Sequence, residues 1–360
     1  PGQEEQFAMR VITEGLYAPH EITWGPDGLL WVTERVGRRV VRVNPVDGFR
    51  TQAIIIPDAV QTASQDGLMG MALHPELLAN TGNDYVYVAF TYDHDPGPAF
   101  DRRTKIRRYT YNPTTQTLVS PLDLITNLPA STDHNSGRLV FGPDETLYYT
   151  IGDQGNNQFD NRCSPIRAQE LPSAAEVAAQ DFSKYVGKVL RLNLDGSIPE
   201  DNPLLAGTRS HIYSYGHRNP QGIVFSADGK LYANEHGPKT DDELNLIQAG
   251  KNYGWPNVLG YQDNKAYVYG NWSAASPTPC ADLPYDNFSI PAEVPQHQET
   301  DWSHPDFMPP IKTFYTVETG YNFMDPECAG TFYICYPTIA PSSIDYYPPA
   351  APLAPGGALF

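Results

Sequence analysis

The pair Asp133-His134, inside the run Asp133-His134-Asn135-Ser136-Gly137, sets an imidazole beside a carboxylate. Imidazole titrates near neutral pH and a carboxylate can orient it, so the pair can serve as a general base. Two residues alone say little, because Asp and Asn also favour turns. Gly216-His217-Arg218-Asn219-Pro220-Gln221-Gly222 is more specific. Arg218 is a fixed cation with five donors, suited to an anionic or carbonyl-rich ligand, or else to a structural ion pair. Asn234-Glu235-His236-Gly237-Pro238-Lys239-Thr240-Asp241-Asp242-Glu243 joins a Gly-Pro turn to three successive acids. Turn carbonyls and carboxylates are the oxygen ligands Ca2+ prefers. An acidic run also serves as plain solvated surface.

Repeated phrases place these groups at strand ends. Trp24-Gly25-Pro26-Asp27-Gly28 leads into Leu29-Leu30-Trp31-Val32-Thr33, Phe141-Gly142-Pro143-Asp144-Glu145 into Thr146-Leu147-Tyr148-Tyr149-Thr150, and Phe225-Ser226-Ala227-Asp228-Gly229 into Lys230-Leu231-Tyr232-Ala233. Gly82-Asn83-Asp84 before Tyr85-Val86-Tyr87-Val88 is a weaker copy. Each is a strand end, a turn and a β-rich strand. A second phrase follows several copies, as in Val40-Val41-Arg42-Val43-Asn44-Pro45 and Val189-Leu190-Arg191-Leu192-Asn193-Leu194. Two hairpins per unit predict an all-β chain built from the four-stranded antiparallel blades of a β-propeller. Ser173-Ala174-Ala175-Glu176 is a capping-box signature that predicts a short inserted helix to about Phe182. Long loops are expected from Tyr261 to Pro295. A single catalytic propeller domain over 1–345 is expected, with a Pro/Ala/Gly-rich end over 346–360, either a tail or a truncation.

The 360 residues are 40% hydrophobic and 12% aromatic, enough for a sizeable core. A net charge of −18 argues against nucleic acid and anionic membrane surfaces as partners. No apolar run reaches the roughly 18 residues a membrane helix needs. The chain starts at Pro1, consistent with a removed leader. Its four cysteines form no Cys-x-x-Cys pair, which favours disulfides and an oxidising compartment over a thiolate metal site.

Gln65-Asp66-Gly67-Leu68-Met69-Gly70, Asp133-His134-Asn135-Ser136-Gly137-Arg138-Leu139, Tyr149-Thr150-Ile151-Gly152-Asp153-Gln154-Gly155, Gly187-Lys188-Val189-Leu190-Arg191-Leu192-Asn193, Gly216-His217-Arg218-Asn219-Pro220-Gln221-Gly222 and Asn252-Tyr253-Gly254-Trp255-Pro256-Asn257 occur in this order. The series resembles the soluble PQQ-dependent glucose dehydrogenases of the glucose/sorbosone dehydrogenase family, from about Val11 to Ser343. The resemblance implies a six-bladed β-propeller with PQQ held over Ca2+ at the channel mouth. It implies that His134 takes the proton of the sugar C1 hydroxyl while Asp133 polarises it. Arg218 would stabilise charge developing on the quinone oxygen, with Asn219, Gln65, Asp153 and Thr338 also at the cofactor. Gln65, Asp133, Gln158, Tyr333 and Tyr336 would meet the sugar. Gly237 and Pro238 would offer carbonyls to the cofactor's Ca2+. Asp242, Glu243, Tyr253, Asp263 and Glu299 would hold further Ca2+ near a homodimer interface. Cys328 and Cys335 match the family's small-loop disulfide. Cys163 and Cys280 have no family counterpart and could pair with each other.

The departures concern specificity and completeness. Tyr336 stands where the family has Trp, Asn156 where it has Arg, and the bulky Phe159 follows Gln158. The family pattern runs on for about one more blade past Phe360, carrying a Lys and Arg residues that hold acidic PQQ, so the last blade is expected to be incomplete. The expected activity is oxidation of the C1 hydroxyl of glucose and other aldoses to the lactone. Electrons would leave to an external quinone, cytochrome or dye, in a periplasmic or secreted protein. No Gly-x-Gly-x-x-Gly opens a helix, which fits an enzyme using neither NAD nor FAD. A calcium-dependent lactonase-type hydrolase and a catalytically impaired sugar-binding propeller share many of these features.

Overall fold

The computed structural model describes residues 8–62, 64–95, 97–286, 288–328, 330, 332–348 and 358–359. Four sheets dominate, each of four antiparallel strands joined in chain order. The first blade is Pro19–Trp24, Leu30–Glu34, Arg39–Val43 and Arg50–Ile55. The second is Leu68–Leu73, Tyr85–Asp93, Arg102–Asn112 and Thr117–Pro129. Leu139–Phe141, Leu147–Ile151, Lys188–Leu192 and Ile212–Tyr215 make the third. Pro220–Phe225, Leu231–Glu235, Asp242–Ile247 and Lys312–Phe314 make the fourth.

The repeated turn phrase has a common physical basis. In the first blade Asp27 Oδ1 accepts from Leu29 N (3.2 Å) and Trp31 Nε1 (3.1 Å), and Gly28 takes a positive φ of 73°. In the third, Asp144 Oδ1 accepts from Thr146 N and Oγ1. The aspartate thus satisfies the turn's free donors and starts the next strand.

The core lies between blades. Because strand side chains alternate, each central strand feeds two clusters. Tyr87 and Ala89 join Tyr149, Leu190 and Ile106 between blades two and three. Val86, Val88 and Phe90 face Trp31 and Val40 on the other side. Tyr148 turns away from Tyr149 to meet Val189, Ile223 and Ala233 toward blade four. This explains why central strands read as continuous apolar runs: both faces are buried.

At the centre, buried Arg138 gathers the innermost strands. It pairs with Glu21 of blade one (2.7 Å) and donates to Gln221 O of blade four (2.7 Å) and Ser342 O (2.8 Å). The architecture is therefore all-β and propeller-like, with four blades of the six expected formed among the described residues. After Phe314 the described chain carries short turns, including Pro326–Cys328 and Phe332–Cys335. The Pro/Ala/Gly-rich end lies mostly outside the described residues; within it Tyr346–Tyr347 pairs with Ala358–Leu359.

The inserted helix is shorter than the sequence predicts. It spans Ala174–Ala178, with both halves of the Ser173/Glu176 capping box formed. Gln180 then takes a positive φ of 54°, which helical continuation does not allow. The described residues of 261–295 are mostly loop, with short turns at Trp272–Ala274 and Cys280–Asp282 and one two-residue strand, Tyr269–Gly270, paired with Gln296–His297; Trp272, Cys280, Leu283 and Val294 pack together there. Both disulfides form, Cys328–Cys335 and Cys163–Cys280, the second closing a separation of 117 residues.

Candidate active site

His134 sits just before the innermost strand of blade three, buried and with a left-handed φ of 46°. Its backbone is crowded by the next strand's end: a Cβ on Gly152 would lie 2.1 Å from His134 O, so only glycine fits there. This close approach brings Asp153 alongside. His134 Nδ1 lies 2.6 Å from Asp153 Oδ1. A carboxylate can only accept, so Nδ1 carries the proton and Nε2 presents a lone pair. Asp153 is fixed in turn by Gly155 N (2.9 Å) and the Trp255 indole Nε1 (2.8 Å).

Asp133 does not orient the imidazole as the adjacent pair suggests. Its Oδ1 accepts from His134 N (2.9 Å) and Gln65 Nε2 (2.6 Å), and lies 3.8 Å from His134 Nε2. Gln158 Nε2 reaches Asp133 Oδ2 (3.2 Å) and His134 Nε2 (3.4 Å). Asp133, Gln65 and Gln158 thus surround the basic nitrogen, while Asp153 holds the ring from behind.

Arg218 enters from the end of blade three. Its Nη1 donates to His236 O (3.0 Å) and Gly237 O (3.2 Å), and its Nη2 to Gln158 Oε1 (3.3 Å). Its Nε is buried without a protein partner. Its backbone N–H donates to Glu235 Oε2 (2.7 Å), and Glu235 also holds the buried His217 Nδ1 (3.0 Å). Asn219 Oδ1 accepts from Ser136 Oγ (3.0 Å) and Gln221 Nε2 (3.1 Å). Burial, aided by Arg218, pushes His236 below the usual histidine range. A cleft of about 330 Å3 opens beside this group, lined in part by Gln158, Pro238, Trp255, Tyr267 and Tyr285.

The acids expected to ligate metal are largely engaged by N–H groups. Asp242 accepts from Gly237 N, Ile339 N and Ala340 N and from the Thr338 hydroxyl. Glu243 accepts from Gly260 N and Asn245 Nδ2. Glu299 accepts from Leu259 N, Asp263 N and Asn264 N. Asp263 accepts from Lys265 N, and the Tyr253 hydroxyl donates to Leu246 O. Burial first, and Glu235 and Asp241 after it, raise Glu243 well above the carboxylate range. Glu299 is pushed up to about 7 by burial, with Asp263 adding to the shift. Among the described residues no three His, Cys, Asp or Glu side chains gather as a metal cluster.

Of the remaining expected residues, Thr338 binds Asp242, and Tyr333 stands 69% exposed. Tyr336 meets Phe288 and Phe323 edge-on. Phe159 is exposed beside Tyr285, and Asn156 donates to Pro165 O. Sequence reasoning gave Trp255 and Lys188 no role, although both lie in quoted motifs. Trp255 touches Asp153. Lys188 is fully buried and donates to the carbonyls of Arg167, Ala168 and Val186.

The family model described as Glucose / Sorbosone dehydrogenase matches residues 16–278. The chain is 48% identical over 348 residues to quinoprotein glucose dehydrogenase B of Acinetobacter calcoaceticus, spanning 96% of this chain and 72% of that protein. A PQQ-bound aldose sugar dehydrogenase from Streptomyces coelicolor superposes with a TM-score of 0.56 at 32% identity, covering 70% of this chain and 66% of that one. The soluble aldose sugar dehydrogenase of Escherichia coli, in its apo form, gives 0.56 at 28% identity, with 69% and 66% covered.

Proposed function

Because the chain belongs to the glucose/sorbosone dehydrogenase family, we propose that it is a quinoprotein oxidising the C1 hydroxyl of glucose and other aldoses to the lactone. The observation that carries this reading is one arrangement: the His134 Nε2 lone pair, backed by Asp153, beside Arg218. Arg218 Nε is a buried donor without a protein partner, which suits a quinone oxygen. PQQ, when bound, supplies the two-electron acceptor for the hydride leaving C1. Arg218, Asn219 and Thr338 would hold it, with the Gly237 and Pro238 carbonyls nearby.

His134 Nε2 takes the C1 hydroxyl proton. Asp153 steadies the resulting imidazolium through Nδ1–H, a charge-assisted hydrogen bond. Asp133, Gln65 and Gln158 orient sugar hydroxyls against that nitrogen, so proton removal starts from a fixed geometry. Arg218 offsets negative charge developing on the acceptor side. Asp153, expected at the cofactor, and Gln65, expected at both cofactor and sugar, take in this reading the parts of holding His134 and Asp133.

Calcium rests on charge. Burial first, and Asp263 after it, raises both Asp241 and Glu299; burial first, and Glu235 and Asp241 after it, raises Glu243. A divalent cation would relieve that repulsion, in exchange for N–H bonds the carboxylates now hold. No catalytic step depends on it here. The six-bladed ring, the external electron acceptor, a homodimer and a periplasmic or secreted location belong to the same proposal. The two disulfides support the location, and no helix among the described residues is long and apolar enough to cross a membrane.

The test is reconstitution with PQQ and Ca2+. Glucose-dependent dye reduction is expected. Lactone hydrolysis with Ca2+ alone, without dye reduction, would replace this reading by the hydrolase one.

A further inference from the structure

Trp255 touches both arms of the site through different parts of one ring. Its indole Nε1 donates to Asp153 Oδ2 at 2.8 Å, while Oδ1 of the same carboxylate holds His134 Nδ1 at 2.6 Å. The Arg218 guanidinium carbon lies 5.5 Å from the ring centroid, within the range of a cation–π contact. The two groups charged during turnover, imidazolium and guanidinium, thus share one aromatic neighbour.

The ring has little freedom to move. Trp255 is 8% exposed and packs with Ala168 and Leu259. Its backbone is tied at both ends: its N–H donates to Gly216 O (2.9 Å), and its carbonyl accepts from Gln169 Nε2 (2.7 Å). Gln169 also exchanges side-chain hydrogen bonds with Asn252, three residues earlier. The Asn252-Tyr253-Gly254-Trp255 stretch is therefore a rigid mount for one N–H donor.

A carboxylate with one oxygen on an imidazole and the other free can rotate about χ2. With both oxygens and Gly155 N engaged, Asp153 cannot turn without breaking a bond. We infer that Trp255 is a positioning residue that locks Asp153, and through it the His134 tautomer and ring plane, while its face seats Arg218.

The test separates the N–H from the ring. Replacing Trp255 by 3-benzothienylalanine keeps nearly the same shape but removes the donor; Trp255→Phe is the genetic counterpart. The first readout needs neither cofactor nor activity: the downfield imidazole Nδ1 proton resonance of His134 in the apoprotein, assigned by its loss in His134→Gln. It is expected to be sharp in the wild type and to broaden or move upfield in both Trp255 variants, with circular dichroism unchanged. The second readout rests on the dehydrogenase reading: kcat falls about tenfold, the scale of one lost hydrogen bond to a charged group, with KM within about twofold. A benzothienylalanine protein that keeps the wild-type resonance overturns the inference. Should the wild type itself fail to oxidise sugar, the functional reading falls, while the resonance comparison still decides the role of Trp255.

Discussion

Asp153, not the neighbouring Asp133, is the carboxylate that holds the His134 ring, and it lies 19 residues downstream. Adjacent side chains in extended or turn backbone diverge, so a sequence neighbour is poorly placed to grip an imidazole. The sequence offers His134 as the proposed base through the motif around it. It does not show the partner, because that contact depends on Gly152 letting one strand end press against another. The two acids should therefore differ in effect. His134→Gln should lower kcat of the reconstituted enzyme by about 1000-fold, the middle of the range for a lost general base. Asp153→Ala should lower kcat about tenfold more than Asp133→Ala, whose main effect should fall on KM. Steady-state dye reduction measures all three, and a larger kcat loss at Asp133 would reverse the assignment.

At the scale of elements, the turns of blades one and three were legible because one aspartate accepts from the turn's donors and a left-handed residue, Gly28 or Glu145, follows it. The Asn252-to-Trp255 mount and the Lys188 anchor were not legible, since the mount's partners, Gln169 and Asp153, lie far off in sequence and those of Lys188 are backbone carbonyls that no residue pattern announces. Lys188 begins the third strand of blade three and ties loop residues 167 and 168 to it. Burial brings its amine down from the ordinary 10.5 to about 7. The unfolded chain stays protonated to the higher value. The cost of burying the charge is thus absent above about 10.5 and fully present below about 7. Lys188→Met leaves three carbonyls without their donor and should cost about 2 kcal/mol at pH 9. The wild type's advantage should shrink as pH falls from 9 to 6 in denaturant melts. A difference that grows toward low pH would contradict this account of the site's support.

For the whole molecule, the repeated hairpin phrases made the all-β propeller-like architecture readable, while the blade count was not. Arg138, at the start of blade three, ties blades one and four together through Glu21 and Gln221 O, and the segment through Ser342 joins them there. A short inner strand such as Leu139–Phe141 has three residues, too few for alternation to mark a blade reliably. The net charge of −18 includes Glu243 and Glu299 near residues 259–264, raised by burial first and by neighbouring carboxylates after it. If Ca2+ binds there, chelation should lower the thermal midpoint and excess Ca2+ should restore it. Mass action gives about 2.7 kcal/mol at a hundredfold excess over Kd. An unchanged midpoint would remove calcium from this group of acids.

The central claim is that His134 deprotonates a sugar C1 hydroxyl as hydride leaves that carbon. Rapid mixing of the PQQ-loaded chain with glucose, protiated or deuterated at C1, tests it most directly by absorbance of the cofactor. The account predicts reduction by both sugars, slower with deuterium at C1, and almost none in His134→Gln. A PQQ-loaded wild type whose spectrum glucose leaves unchanged, or reduction that His134→Gln leaves at full rate, would contradict it.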